Sequence, residues 1–114
     1  MKVRIYQIVP ELDCNNLMFR NLQTVTGRSS GKIPEEIYSN VYEGELEANR
    51  LEDVFYTLNC NQPKDYLARS LSVSDVVEVI HSPENSSFYF CDSLGFRPFP
   101  FDTSRIFSGQ EDKI

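Results

Sequence analysis

The chain has few of the residues on which common catalytic and metal sites depend, and it has no long hydrophobic run. Its 114 residues include one histidine and three cysteines. No apolar segment approaches the roughly 18 to 20 residues of a transmembrane helix, and the N-terminus lacks the apolar stretch of a secretory signal. We therefore expect a single cytoplasmic domain with one hydrophobic core and no membrane partner.

The chain also lacks a glycine-rich loop for phosphate binding. Residues 27–32, Gly-Arg-Ser-Ser-Gly-Lys, have their glycines too close together for a nucleotide-binding motif, and they predict a loop instead. Basic residues are in the minority, because 11 Lys and Arg stand against 17 Asp and Glu, a formal net charge of −6. A protein that follows a phosphate backbone needs a basic surface, so we expect no direct nucleic-acid binding.

The cysteines and the histidine are too widely spaced for a familiar motif. Structural zinc sites usually draw their ligands as close pairs, and here successive cysteines lie 46 and 31 positions apart. We therefore expect reduced thiols and no cofactor, with a small zinc-stabilised binding module as the alternative. The candidate zinc ligands of that alternative are Cys14, Cys60, His81 and Cys91. No local pattern positions a Cys–His nucleophile pair, and we predict that the chain is not an enzyme.

Hydrophobic periodicity predicts an α+β fold, an antiparallel sheet of four to five strands with two short helices on one face. Alternating residues predict strands over 2–9, 37–46, 73–81 and 88–92. The aromatic segment 96–101 contains two prolines and predicts an edge or extended segment across the core. Residues 1–107 would form one domain, and residues 108–114 a frayed tail.

The two predicted helices rest on apolar spacing and capping residues. Apolar spacing over 14–25 predicts the first helix, with Asp13 or Asn15 as its cap. The second follows from the i, i+3, i+4, i+7 pattern over 51–58, preceded by a capping box of Asn49 and Glu52.

Strands 73–81 and 88–92 predict a hairpin closed by the polar residues 82–87. If His81 lies opposite Phe88, then Val79 lies opposite Phe90, and alternate residues share the apolar face. This register places Cys91 on the other face from His81, where the two could not ligate one metal.

The acidic residues are concentrated in one part of the chain. Residues 35–53 contain seven carboxylates and one arginine, a net charge of −6 that equals the charge of the whole chain. The candidate partner-binding residues are Glu35, Glu36, Glu43, Glu45, Glu47, Glu52 and Asp53. Such a run usually serves solubility, but carboxylates along a strand and helix can also imitate phosphates in a basic channel of another protein. A hydrolase using Glu43 and Glu45 is a weaker reading.

Several segments resemble the YodL-like domain family. The most specific is Arg-Ser-Leu-Ser-Val-Ser-Asp-Val-Val at 69–77, and Tyr-Ser-Asn-Val-Tyr-Glu-Gly-Glu-Leu at 38–46 and Asp-Ser-Leu-Gly-Phe at 92–96 resemble further family segments. Ala68 departs from the pattern, because the family is expected to have glycine there. The resemblance spans roughly residues 1 to 100 and implies a protein of phages or mobile elements of Gram-positive bacteria, without known catalytic residues.

Acidity, small size and this resemblance together favour a non-enzymatic inhibitor. The partner that we expect is a host protein that handles nucleic acid in defence, with a CRISPR effector nuclease as the example. In the motif, Ser70, Ser72, Ser74 and Asp75 would bond backbone groups before the hairpin, and Asp92, Ser93 and Gly95 would form the turn after it.

Overall fold

A five-stranded antiparallel sheet forms the centre of the protein. The computed structural model describes residues 1–108, so most of the predicted frayed tail, residues 109–114, lies outside the described residues. The strands are β1 (Lys2–Ile8), β2 (Tyr38–Glu45), β3 (Val76–Ser82), β4 (Asn85–Asp92) and β5 (Gly95–Pro98). They are ordered β2-β1-β3-β4-β5, and the two α-helices are α1 (Leu22–Gly27) and α2 (Leu51–Cys60). The α+β prediction is confirmed.

Both faces of the sheet are covered, and the helices lie on opposite faces. Val3 of β1 packs in one cluster with Val54 of α2, whereas Tyr6 of β1 packs in the other with Val25 of α1. The expectation that both helices share one face is therefore wrong. Strand β3 reflects the cover on both faces, because its first four residues, 76–79, are all buried.

The first helix is shorter than its apolar spacing predicts. Over 14–25, only the part from Leu22 onward is helical, and Asn21 caps it. Before it, the Asp13 carboxylate accepts a hydrogen bond from the Leu17 amide at 2.8 Å, and Phe19 has a φ of 68°. Side chain–backbone bonds of this kind compete with helix formation, so the apolar residues here pack from a loop.

The second helix is confirmed and continues to Cys60, but its capping box is shifted by one residue. The Asp53 carboxylate, rather than that of Glu52, accepts from the backbone amides of Asn49 at 3.0 Å and Arg50 at 3.1 Å. Arg50 is the N-cap residue.

Neither helix within residues 1–108 has the length and apolar character needed to cross a bilayer.

The β3–β4 hairpin closes more tightly than predicted. The two residues 83 and 84 form the turn, and the strands pair Val76 with Phe90 and Glu78 with Phe88. The predicted register is wrong by three residues, an odd shift that exchanges the two faces. The polar character of residues 85–87 predicts loop, but these residues extend β4 at the exposed end of the hairpin, where polar side chains cost little.

The aromatic segment after β4 lies at the edge and over the core, as predicted. Strand β5 ends the sheet and contains Pro98, which cannot donate to a ladder. Beyond it, the Phe101 ring is 6% exposed and lies 5.0 Å from the ring centre of Tyr6 and 5.3 Å from that of Tyr38. This segment closes the core on the α1 face.

The shifted capping box can be tested with neighbouring substitutions. Asp53→Ala should lower the free energy of unfolding at pH 7, because two amides lose their acceptor, whereas Glu52→Ala should leave it nearly unchanged. The hydrogen bonds from Asn49 and Arg50 lower the pKa of Asp53. Its stabilisation is therefore present above the ordinary aspartate pKa and lost as the pH falls through the lowered one. Urea titrations at pH 7 and pH 2.5 measure this; a larger loss from Glu52→Ala would contradict it.

Candidate protein-interaction surface

The seven candidate acidic residues do not form one cluster. Glu35 and Glu36 lie in a short 3-10 turn before β2, Glu43 and Glu45 lie near the far end of that strand, and Glu52 and Asp53 begin α2. The eight residues of β2 span about 24 Å at roughly 3.4 Å per residue. The carboxylates therefore divide into one group at each end of the edge strand.

The first group holds the C-terminal segment of the domain. Glu35 accepts a hydrogen bond from the Asp102 amide at 3.1 Å and lies 3.8 Å from the Arg105 guanidinium. Arg105 also lies 3.9 Å from Glu36. Both carboxylates thus have cationic neighbours within the domain, and Glu35 is only 13% exposed. This group contributes mainly to the fold.

Part of the second group is also neutralised, by an arginine that pairs with a buried glutamate beside it. Arg4 lies between the exposed Glu43, at 2.9 Å, and the buried Glu78, at 3.3 Å. The Arg4 hydrogen bond lowers the pKa of Glu43, and Glu43 in turn raises the pKa of Arg4. Glu78 accepts a further hydrogen bond from the Tyr6 hydroxyl at 2.7 Å. Because desolvation and this carboxylate both raise the pKa of Tyr6, the phenol stays neutral.

Two of the seven carboxylates have no ion-pair partner in the described part of the chain. Glu45 lies 2.8 Å from the Met1 amine and Asp53 caps α2, but Glu47 and Glu52 are exposed and take part in no ion pair within residues 1–108. They flank the start of α2, beyond the end of the edge strand. These two side chains are the ones that the domain leaves open to an external cation.

The polar motif residues at the start of β3 bond backbone groups as predicted, but no sequence pattern indicates that Asp75 is buried and bound to β1. The Asp75 carboxylate is 0% exposed and accepts hydrogen bonds from Gln7 Nε2 at 3.0 Å and the Ser72 amide at 2.8 Å. Its second oxygen, Oδ1, is buried and has no hydrogen-bond partner among the described residues. Desolvation raises the pKa of Asp75 to about 7, although these hydrogen bonds and the nearby Arg69 cation act in the opposite direction.

The motif residues around Asp75 are structural, much as the serine pattern predicts. Ser72 Oγ donates to the Ser70 carbonyl at 3.0 Å, and Ser74 Oγ accepts from the Phe19 amide at 3.0 Å. Ser74 has a φ of 85°, unusual for a residue with a side chain. The predicted turn after β4 is present too, with Gly95 at a φ of 106°. The partners Gln7 and Phe19 come from distant segments, so no local pattern identifies them.

The four candidate zinc ligands are not assembled into a site. No group of three or more His, Cys, Asp or Glu side chains in residues 1–108 is placed to hold a metal ion. Cys14 and Cys60 are exposed thiols in different segments, and Cys91 is buried in β4. Burial raises the pKa of Cys91 to about 12, which makes it a poor thiolate ligand. This arrangement gives the zinc alternative no geometric support.

His81 is the one ring that could act as a base, and it lies at an exposed irregularity near the end of β3. Its Nε2 is 2.9 Å from Ser87 Oγ. A nucleophilic serine needs a histidine that a third group orients, and no hydrogen bond to the His81 Nδ1 is present among the described residues. The contact resembles an ordinary cross-strand hydrogen bond more closely than a catalytic dyad.

The raised pKa of Asp75 predicts a pH-dependent stability that Asn removes. Because the folded pKa lies near 7 and the unfolded one near ~3.9, the native state binds the extra proton between these values, so wild-type stability falls as the pH rises from 4 to 7. Asp75→Asn keeps the acceptor oxygen and should unfold like wild type at pH 4. At pH 8 it should be more stable, by on the order of 4 kcal/mol. Denaturant unfolding across this range measures the difference, and a less stable variant at pH 8 would contradict the prediction.

The comparison with family models identifies a family for this chain. The family model for the YodL-like domain matches residues 2–101, which include all five strands, both helices and the Asp75 network. No curated protein and no solved structure matches the chain. The sequence resemblance is therefore confirmed over nearly its whole expected length, and the chain belongs to the YodL-like domain family.

Proposed function

We propose that this domain binds a protein partner and catalyses no reaction itself. The observation that carries the proposal is the pair of exposed carboxylates, Glu47 and Glu52, which the domain does not neutralise although it neutralises most of their acidic neighbours. Exposed carboxylates in and just before the first turn of α2 are available to a cation of another molecule. With a net charge of −6, the chain favours basic partners.

The narrower form of the proposal names the partner as a nucleic-acid-handling defence enzyme of the host, with a CRISPR effector nuclease as the first candidate. Such enzymes have basic channels for phosphate backbones, and an acidic domain can occupy a channel of this kind by charge alone. In this proposal the domain works in the bacterial cytoplasm on behalf of a phage or another mobile element. What supports it is the acidity of the exposed surface together with the family membership.

Charge reversal at the two open carboxylates tests the proposal. The combined change Glu47→Lys and Glu52→Lys should weaken the binding of a purified CRISPR effector nuclease at least about tenfold at low salt, because like charges would then meet. Wild-type binding should itself weaken at high salt. Fluorescence anisotropy of the labelled domain against the enzyme gives the Kd at both salt concentrations. A set of purified restriction enzymes extends the test to other defence enzymes.

The matched control reverses two carboxylates elsewhere. Glu11→Lys with Glu84→Lys gives the same net charge of −2, and both residues are exposed and lie outside 35–53. This control should bind like wild type. Equal weakening in both double variants would show an effect of net charge without a binding surface, and failure of wild type to bind any of the enzymes would reject the defence-enzyme partner. Asp53 and Glu43 are left intact because they cap α2 and pair with Arg4.

A further inference from the structure

An apolar groove lies between α2 and the turn that joins β4 to β5. Its volume is about 300 Å³, at the lower end of the ~300–1,000 Å³ typical of small-molecule sites. The side chains that make it apolar are Phe55, Val73, Cys91 and Phe96. A space of this size suits one bulky side chain better than a cofactor.

Two aromatic rings, one of them largely outside the core, line the groove. Helix α2 buries Val54 and Leu58 against the sheet, whereas Phe55 remains 40% exposed. The Phe55 ring packs edge-to-face against the Phe96 ring of β5, with ring centres 6.4 Å apart. Beside the groove, in the β4–β5 turn, Leu94 is 96% exposed. Exposed apolar surface beside a groove, here from Phe55 and Leu94, is typical of a binding surface.

The rim of the groove is acidic. Glu52, one of the two unpaired carboxylates, lines it together with Asp92. Asp92 is already engaged, since its carboxylate accepts from the Leu22 amide at 3.1 Å and lies 3.8 Å from Arg97. Glu52 is therefore the rim charge that is free to meet a cation of an occupant.

The charge of the rim argues against a second copy of this chain as the occupant. A two-fold dimer places the same patch on both partners, so the Glu52 carboxylates would be brought to the same interface. Each copy also has a net charge of −6. The occupant that fits is apolar at its centre and positively charged beside it.

We infer that the groove between α2 and the β4–β5 turn takes a bulky apolar side chain of a partner protein, next to a lysine or arginine that pairs with Glu52. This inference rests on the proposed function and specifies which chemistry the partner presents. The apolar side chain would supply affinity by leaving water, and the cation would supply selectivity at the rim. The two exposed carboxylates, Glu47 and Glu52, and the groove would then belong to one interface, in which Glu52 is the shared residue.

Two synthetic peptides test this inference on the whole chain. Both have blocked ends and a Leu-Phe centre, flanked in one by lysines and in the other by glutamates. The lysine-flanked peptide should bind at least tenfold more tightly by NMR titration, with amide shifts at residues 52–55 and 91–96. Glu52→Lys should reverse the preference between the two peptides. Phe55→Ser should lower the affinity for the lysine-flanked peptide at least tenfold, while Phe55→Leu should retain most of that affinity.

Tyr56→Ser is the matched control, because Tyr56 is 61% exposed and does not line the groove. It should bind the lysine-flanked peptide like wild type. Unchanged amide shifts in the groove at millimolar peptide, or equal losses from Phe55→Ser and Tyr56→Ser, would overturn the inference. Far-UV circular dichroism and thermal unfolding of each variant separate a loss of binding from a loss of fold.

The outcome separates this inference from the proposed function. Suppose that Phe55→Ser binds the effector nuclease like wild type while the reversal of Glu47 and Glu52 does not. The role of the groove in binding is then rejected, and the proposed function is retained. If the groove binds the lysine-flanked peptide but wild type binds none of the defence enzymes, the inference about the groove is retained and the defence-enzyme partner is rejected.

Discussion

The buried pair Ser74 and Asp75 is the constraint on which the rest of the fold depends. Residues 61–75, between α2 and β3, contain no helix or strand, so side chains and the backbone of other segments must satisfy their buried backbone groups. Asp75 binds the Ser72 amide within this segment and Gln7 of β1. The Ser74 carbonyl accepts from the Tyr38 hydroxyl of β2 at 2.7 Å, and its amide donates to the Cys91 carbonyl of β4 at 2.9 Å. Ser74 and Asp75 thus attach the segment between α2 and β3 to three strands, β1, β2 and β4.

This network also explains why a costly carboxylate is kept in the core. A buried aspartate with one oxygen lacking a partner lowers stability near neutral pH, but it satisfies backbone and amide groups that an apolar residue would leave unpaired. Arg69 adds a second connection, since its guanidinium donates to the Ile8 carbonyl at 3.0 Å and lies over the Phe19 ring. The segment that leads from α2 back into the sheet is held in place, and with it the helix that carries Glu52 and Phe55.

The parts of the fold that follow local periodicity were predictable from the sequence. Helix α2 has a complete i, i+3, i+4, i+7 face, and β1 and β2 alternate, so these elements lie where the pattern places them. The residues around Asp13 and Phe19 have helical spacing too, but local hydrogen bonds and positive φ angles override it. In the β3–β4 hairpin, polar residues in β4 look like loop, and this error shifted the register. The register depends on pairing across strands, which a local pattern does not record.

The candidate surface was predictable only in part. The concentration of carboxylates is visible in the sequence, but which of them pair internally depends on Arg4 and Arg105, which lie far away in the chain. The groove depends on the packing of α2 against β5, which joins Phe55 to Phe96 across 41 positions. The sequence therefore predicts the charge of the surface, whereas the fold leaves Glu47 and Glu52 unpaired within residues 1–108 and places the apolar groove beside Glu52.

Amide hydrogen exchange of the domain, alone and bound to an effector nuclease, tests the central claim most directly. If the acidic helix start and the groove form one interface, exchange should slow in the complex over residues 47–56 and 91–96. The turn at residues 83–84, on an exposed hairpin end, should exchange equally in both states. Protection at that turn with none over 47–56 would contradict the claim, because the partner would then bind elsewhere on the domain.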